Sequence, residues 1–350
     1  MTPLLAAVLL TALQPRPAPA PQPPVPVAVR VVPFPGLDQP RTVGCLVLRS
    51  GLTLSAEAEG FGGFSDMSLA GPGERATFVS DAGAVMRARL VTDPAGDAVG
   101  LAGATLTGLT ERDGSALGKR DGDAEGLAWT GTGFAVSLEG EDRVAAMSGA
   151  GVLGQTLYPA PGDEAVLGAN SGFEALAALP DGRLIVVSEG KDEAGDALVR
   201  VGTLDEPLSG WAAARYRPAQ GFNVTSADVD PATGDLFVLE RAYSPWRGAR
   251  MRVVRVPASH LGGEVLRGRQ LTRMGFLEGV DNMEGLAAAR TADGQLRLYL
   301  VSDDNFSAAQ RTVVLTLGLA PGCEDGDAAQ APARGDPAPQ EAVEAQEGDR

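Results

Sequence analysis

Lys119–Arg120–Asp121–Gly122–Asp123–Ala124–Glu125–Gly126–Leu127–Ala128 carries a charged loop straight into an apolar strand. The next residues, Trp129–Thr130–Gly131–Thr132–Gly133–Phe134–Ala135–Val136–Ser137–Leu138–Glu139, make a glycine turn, a second apolar strand and another acid. Two short apolar runs joined by a Gly-containing turn read as a β-hairpin. The unit recurs. Phe64–Ser65–Asp66–Met67–Ser68–Leu69–Ala70 leads through Gly71–Pro72–Gly73 to Thr77–Phe78–Val79–Ser80–Asp81. Glu174–Ala175–Leu176–Ala177–Ala178–Leu179 turns at Pro180–Asp181–Gly182 into Leu184–Ile185–Val186–Val187–Ser188–Glu189. Thr225–Ser226–Ala227–Asp228–Val229 turns near Gly234 into Leu236–Phe237–Val238–Leu239–Glu240–Arg241. Glu284–Gly285–Leu286–Ala287 turns at Asp293–Gly294 into Leu298–Tyr299–Leu300–Val301–Ser302–Asp303–Asp304.

The starts fall at 65, 125, 174, 225 and 284, a period of about fifty to sixty residues. Further strands at Arg87–Ala88–Arg89–Leu90–Val91, Leu198–Val199–Arg200–Val201 and Arg252–Val253–Val254–Arg255–Val256 bring each unit to about four. That is the pattern of an all-β chain folded as a β-propeller. Five units are visible, and the ring has five or six blades, a sixth requiring a degenerate blade in residues 85–120 or one assembled from the chain ends. Few aromatics, 46 Gly and 25 Pro favour short strands and tight turns in the same way.

A propeller must close its ring, here by pairing of N- and C-terminal strands. Cys45 lies in the first strand of the domain and Cys323 just after the last. If the N-terminal strand completes the last blade, the two approach one another and can form a disulfide in an exported protein. Residues 1–20, with an apolar core at 4–13 too short to span a bilayer, read as a signal peptide, and no stable membrane span is expected. Residues 21–40 read as a Pro-rich extended spacer, 41–320 as the propeller domain and 321–350 as a disordered acidic tail. The expected location is periplasmic or secreted.

A formal net charge of −16 argues against nucleic acid or anionic lipid as a partner. One histidine and two cysteines exclude a zinc hydrolase helix, a four-cysteine zinc site and a Cys-x-x-Cys redox pair. His260 sits in a turn, and no Gly-x-Ser-x-Gly is present, so a serine triad is not expected. Gly149–Ala150–Gly151–Val152–Leu153–Gly154 matches a dinucleotide fingerprint but lacks its helix and acidic partner, and reads as a strand connection.

The acids carry the chemistry. If the first strand of each unit lines the channel and the second returns, opening and closing residues share one face. The openers are Ser65, Glu125, Glu174, Thr225 and Glu284; the closers are Asp81, Glu139, Glu189, Glu240 and Asp303, with Asp304 beside the last. Eight of these ten paired positions are carboxylates, too many for a generic surface, and such a ring calls for cations. Oxygen ligands in number suit Ca²⁺ or another divalent cation better than Zn²⁺. Asp121, Asp123, Asp281, Asn170, Asn282 and Asn305 add oxygens, and Lys119, Arg120, Arg143, Arg241 and Arg311 are candidate basic partners. Asp121-x-Asp123-x-Glu125-Gly126 opens like an EF-hand loop, but Thr132 stands at the twelfth position. The competing structural reading has each acid paired with an Arg of the next blade, holding the ring together.

Over roughly residues 41–319 the chain resembles the family known as esterase-like activity of phytase. The resemblance rests on Phe61–Gly62–Gly63–Phe64–Ser65, Val79–Ser80–Asp81, Gly118–Lys119–Arg120–Asp121–Gly122–Asp123–Ala124–Glu125–Gly126, Gly172–Phe173–Glu174–Ala175, Leu239–Glu240–Arg241, Asp281–Asn282–Met283–Glu284–Gly285 and Ser302–Asp303–Asp304–Asn305–Phe306. It implies a propeller-like domain whose Asp and Glu residues support ester or phosphoester hydrolysis. Two departures stand out: Ser226 where an acid is expected after Thr, and Glu139–Gly140 where Glu-Arg is expected, with Arg143 further on.

The expectation is therefore an exported metal-dependent hydrolase of phosphate esters or phosphodiesters, taking a small anionic ester. Asp81, Asp121, Asp123, Glu139, Glu189, Glu240, Asp303 and Asp304 would hold metal. Glu125, Glu284 and Glu174 would serve catalysis, and Lys119 and Arg120 would offset phosphoryl charge. The alternatives are a non-catalytic calcium- or ligand-binding propeller and a Ca-dependent lactonase.

Overall fold

A computed structural model describes residues 24–323 apart from 35, 36, 38, 72–74, 164, 165, 168–171, 276 and 277. The expected signal peptide, the acidic tail beyond Cys323, Asn170 and the Pro72–Gly73 turn lie outside the described residues.

Five small sheets stand in a ring, a five-bladed β-propeller. Blade one runs outward from β5 (Phe64–Ala70) through β6 (Arg75–Ser80), β7 (Ala84–Thr92) and β8 (Ala98–Gly108) to β1 (Val25–Pro26). Blade two has β9 (Ala124–Trp129), β10 (Phe134–Leu138), β11 (Arg143–Met147) and β12 (Leu153–Leu157). Blade three has β13 (Phe173–Ala178), β14 (Leu184–Lys191), β15 (Ala197–Gly202) and β16 (Ala212–Tyr216), with β20 (Val265–Leu266) added in parallel. Blade four has β17 (Asn223–Val229), β18 (Leu236–Ser244), β19 (Gly248–Val256) and β21 (Arg269–Gly275). Blade five has β22 (Met283–Arg290), β23 (Leu296–Ser302) and β24 (Thr312–Leu319), then β4 (Leu46–Ser55) and β2 (Arg30–Pro33) from the other end of the chain. β3 (Arg41–Val43) pairs the remaining stretch of β4. Within residues 85–120, β7 and β8 complete blade one as far as Gly108 and the rest makes only isolated bridges at Thr110, so no sixth blade is hidden there.

Part of the segment read as a spacer is paired. Val25 and Pro26 lie against Leu106 and Thr105, and Arg30 to Pro33 against Ser55 to Leu52. Both are outermost strands, where a proline costs no ladder hydrogen bond to a further neighbour. β4 runs antiparallel to β24 from Leu54 opposite Thr312 to Leu46 opposite Leu319. Beside that seam Cys45 and Cys323 form a disulfide, their Cα atoms 5.5 Å apart.

The core is divided between the blades. The faces of blades one and two meet around Val79, Leu127 and Val136, those of two and three around Phe173, Leu176 and Trp211. Blades three and four bury Val187, Val224 and Val238; four and five bury Phe237, Leu286 and Leu300. Met67, Phe78 and Val301 lie between five and one. At about 1.5–3 kcal/mol for each large side chain buried, these five layers hold the ring. The five inner strands pack side by side, β5 between β22 and β9, β13 between β9 and β17, and β17 between β13 and β22.

Candidate functional site

Every inner strand carries a bulge at the same place. Phe64 pairs Ser80 and Asp66 pairs Val79, leaving Ser65 as the extra residue. By the same count the extra residue is Glu125 in β9, Glu174 in β13, Thr225 in β17 and Glu284 in β22. A bulge breaks the in-and-out alternation and re-aims one side chain. Of the five openers, Ser65, Glu125, Glu174 and Glu284 line a cavity of about 240 Å³ at the end of the channel; Thr225 is buried and donates to the Met283 carbonyl at 3.4 Å.

The closers are set by a second repeat. The backbone N–H groups of Asp81, Glu139, Glu189 and Asp303 donate to the carbonyls of Gly63, Asp123, Gly172 and Asn282, at 2.8–3.0 Å. All four side chains line the cavity, with Asp123 and Asn305. In blade four the matching pair is Asn223 with Arg241, so the closer there is Arg241 and not Glu240. Glu240 pairs Val224 one step earlier and takes the place held by Ser80, Ser188 and Ser302 in their blades. One residue of shift reverses the face in a strand. Glu240 is consequently buried away from the cavity, accepting from Tyr216 Oη at 2.6 Å and Ala219 N at 3.1 Å and paired with Arg252.

This places the one cation among the described lining residues opposite its acids. Arg241 Nη1 lies 2.7 Å from Glu284 Oε1 and 2.5 Å from Asn282 Oδ1, and its Nη2 lies 3.8 Å from Glu189 Oε1. Glu189 also accepts from Asn223 Nδ2 at 2.8 Å. Here the reading of acids as inter-blade ion-pair partners holds. The other side of the cavity, formed by Asp123, Glu125, Glu139 and Glu174, contributes no Lys or Arg to the described lining. Ligand oxygens of Asp123, Glu125 and Glu139 lie within 4.8 Å of one another, and Asp123 Oδ1 is buried without a hydrogen-bond partner.

Burial and crowding raise the carboxylates. Glu125 and Glu174 titrate well above the ordinary range, first because they are desolvated and then because other glutamates surround them. Glu139 is pushed up to about 7 by burial and by Asp123, and Asp303 to about 6 by burial against the opposing Asn305 N–H. Burial takes Glu284 to about 8 although Arg241 pulls the other way. Asp123 is raised as well, by burial and then Asp81.

Other expected site residues are not in the lining. Asp304 Oδ1 accepts from Gly63 N at 2.9 Å and Phe306 N at 3.0 Å, and its Oδ2 accepts from Thr312 Oγ1 at 2.9 Å. It clamps two loops together. Gly63 has φ +60°, and a Cβ there would overlap Asp81 and the Phe306 ring, which accounts for the Gly62–Gly63 pair beside this clamp. Asp121 and Arg120 are exposed in the preceding turn, where the Asp121 N–H donates to the Gly118 carbonyl at 3.2 Å and its carbonyl accepts from Arg143 Nη2 at 2.9 Å. Lys119 is also exposed but reaches the rim, its Nζ 2.8 Å from Asp81 Oδ2.

Sequence reasoning passed over Asp66. It is fully buried below Ser65, and its oxygens accept from Ser226 Oγ of blade four at 2.8 Å, Leu127 N of blade two at 2.7 Å and Leu286 N of blade five at 3.2 Å. Burial raises its pKa well above the usual carboxylate value. Gly126 and Gly285 make room for this crossing, since a Cβ would come within 2.5 Å of Glu174 O or 2.7 Å of Asp66 Cα. Below it a separate opening of about 630 Å³ is lined by Ser68, Trp129, Asp228 and Arg290 among others, without the carboxylate ring. Ser226, the departure from the expected acid, is the hydroxyl that meets Asp66 from across the axis.

No curated protein matches the chain. Among solved structures it is similar to a protein of unknown function from Bacteroides caccae, 10% identical over 69% of each chain with a TM-score of 0.32. It is also similar to a chain of the mitotic checkpoint complex, 13% identical, covering 91% of this chain and 99% of that one with a TM-score of 0.39. A family model described as "Phytase-like: Esterase-like activity of phytase" matches residues 59–306, from the loop before β5 to the Asn305–Phe306 turn, so the span that builds the carboxylate cavity is the span that assigns the chain to the phytase-like family.

Proposed function

We propose that the chain is an exported hydrolase of small anionic esters, phosphate esters foremost, with a divalent cation, Ca²⁺ by preference, held by Asp123, Glu125 and Glu139. The observation that carries this reading is the convergence of those three carboxylates, with one buried oxygen of Asp123 unbonded. Hard oxygen donors without His or Cys fit Ca²⁺ rather than Zn²⁺. Bound there, the ion would supply positive charge to the ester oxygens. Glu174 is the proton carrier in this scheme, because it is buried, raised in pKa and adjacent to the ion-pair side without a direct hydrogen bond to it. Glu284 is fixed by Arg241, and that guanidinium, with Lys119 at the rim, holds the anionic substrate. The disulfide agrees with an oxidising location outside the cytosol.

The test is turnover of p-nitrophenyl phosphate, a bis-nitrophenyl phosphodiester and a lactone, with Ca²⁺ and with chelator, beside calcium calorimetry. Phosphoester turnover that needs the ion, lost at least a hundredfold in E174Q, is expected. In E125Q, calcium affinity should fall at least tenfold. Calcium binding with no turnover of any ester assigns the cavity to a non-catalytic binding propeller; lactone turnover alone makes it a lactonase.

A further inference from the structure

We infer a second binding site, for a phosphate-like oxyanion, on the rim of blade four and separate from the carboxylate cavity. Arg250 and Arg252 stand two residues apart on β19 and so project from one face. Arg273 on β21 is paired directly with Arg252. All three guanidinium carbons lie over the Phe222 ring, 5.4, 5.5 and 5.2 Å from its centroid. With Arg247 and Gln270 these residues line a cavity of about 420 Å³ that has no Asp or Glu in its described lining.

Such a gathering stands out in a chain whose net charge is −16. Like charges facing each other across a ladder repel. The aromatic face offsets part of that repulsion, and Glu240 engages Arg252 from the inner side. Guanidinium forks converging on one cavity match the geometry of an oxyanion through paired N–H donors. Gln270 is already turned toward the cluster, its Oε1 accepting from Arg252 Nε at 2.7 Å. A cavity of this size exceeds one phosphate and accommodates a group attached to it. Arg241 is on β18, so the β19 arginines stand one strand outward from it, about 5 Å, and Arg273 on β21 two strands outward, about 10 Å, at the same end of the ring.

The inference goes beyond the proposed hydrolase and survives its failure, because binding is read without turnover. Inorganic phosphate is titrated calorimetrically into the intact chain in chelator, with chloride as the control. Arg247 and Arg273 are both exposed, so the R247Q/R273Q variant should fold as the parent does, which circular dichroism checks, with R247Q alone as the milder change. Saturable phosphate binding, absent for chloride, weakened at least tenfold in the double variant and at least twofold in R247Q, and unchanged in E125Q/E284Q, is expected. Phosphate binding no tighter than chloride, unaltered in both arginine variants, or lost only in E125Q/E284Q overturns it.

Discussion

At the scale of single residues, the carboxylate cavity is a store of protons. Glu139, Asp303 and Glu284 titrate at about 7, 6 and 8 when folded, against ordinary values of 4.5, 3.8 and 4.5. Between the unfolded and folded values the native chain binds more protons than the unfolded one, so unfolding free energy falls as pH rises. In chelator the melting temperature should therefore drop by more than about 5 °C between pH 5 and 8, and Ca²⁺ should restore it most at the alkaline end. A flat profile in chelator would remove the burial account of these shifts. The openers Glu125, Glu174 and Glu284 were legible because each follows a loop and precedes an apolar strand. Asp66 was not, since it sits one residue after a serine opener and its partners come from three other blades. Nor was the Arg cluster of blade four, whose members are spread from 247 to 273 and vanish in an overall charge of −16.

At the scale of elements, the hairpins were readable and their registers were not. Alternation of apolar and polar residues fixes two faces, but a bulge inserts one residue without a signature of its own. Four closers fell on the expected residue because a serine or leucine precedes the acid. In β18 the charged pair Glu240–Arg241 offered two choices, and pairing of Asn223 with Arg241 selects the second. E240A should consequently act on stability and not on the site. It strands Tyr216 Oη, Ala219 N and the Arg252 guanidinium, at about 3–5 kcal/mol. Urea unfolding measures that loss, while calcium affinity stays within about twofold of the parent. An affinity loss as large as that of E125Q would return Glu240 to the metal ligands.

At the scale of the whole molecule, the repeat period announced a propeller, and blade number depended on the chain ends. β4 and β2 belong to blade five although they come first in sequence, and the disulfide ties β4 to the end of the last strand across 278 residues. In the chain-entropy picture a loop of that length is worth about 5.6 kcal/mol. Reduction, or C45A/C323A, is expected to lower the urea midpoint by a corresponding amount, and an unchanged midpoint would show that the β4–β24 ladder closes the ring unaided. Proline content alone led to a spacer reading for residues 21–40, because composition does not tell an outermost strand from an unpaired one. Asp66, finally, does more than satisfy its neighbours. By bridging three other blades it stops passage along the axis, so whatever occupies the carboxylate cavity must go out by the door it came in. Under the proposed hydrolysis no chain could be threaded through: a long molecule would have to present its terminus, and a departing fragment would compete directly with its successor.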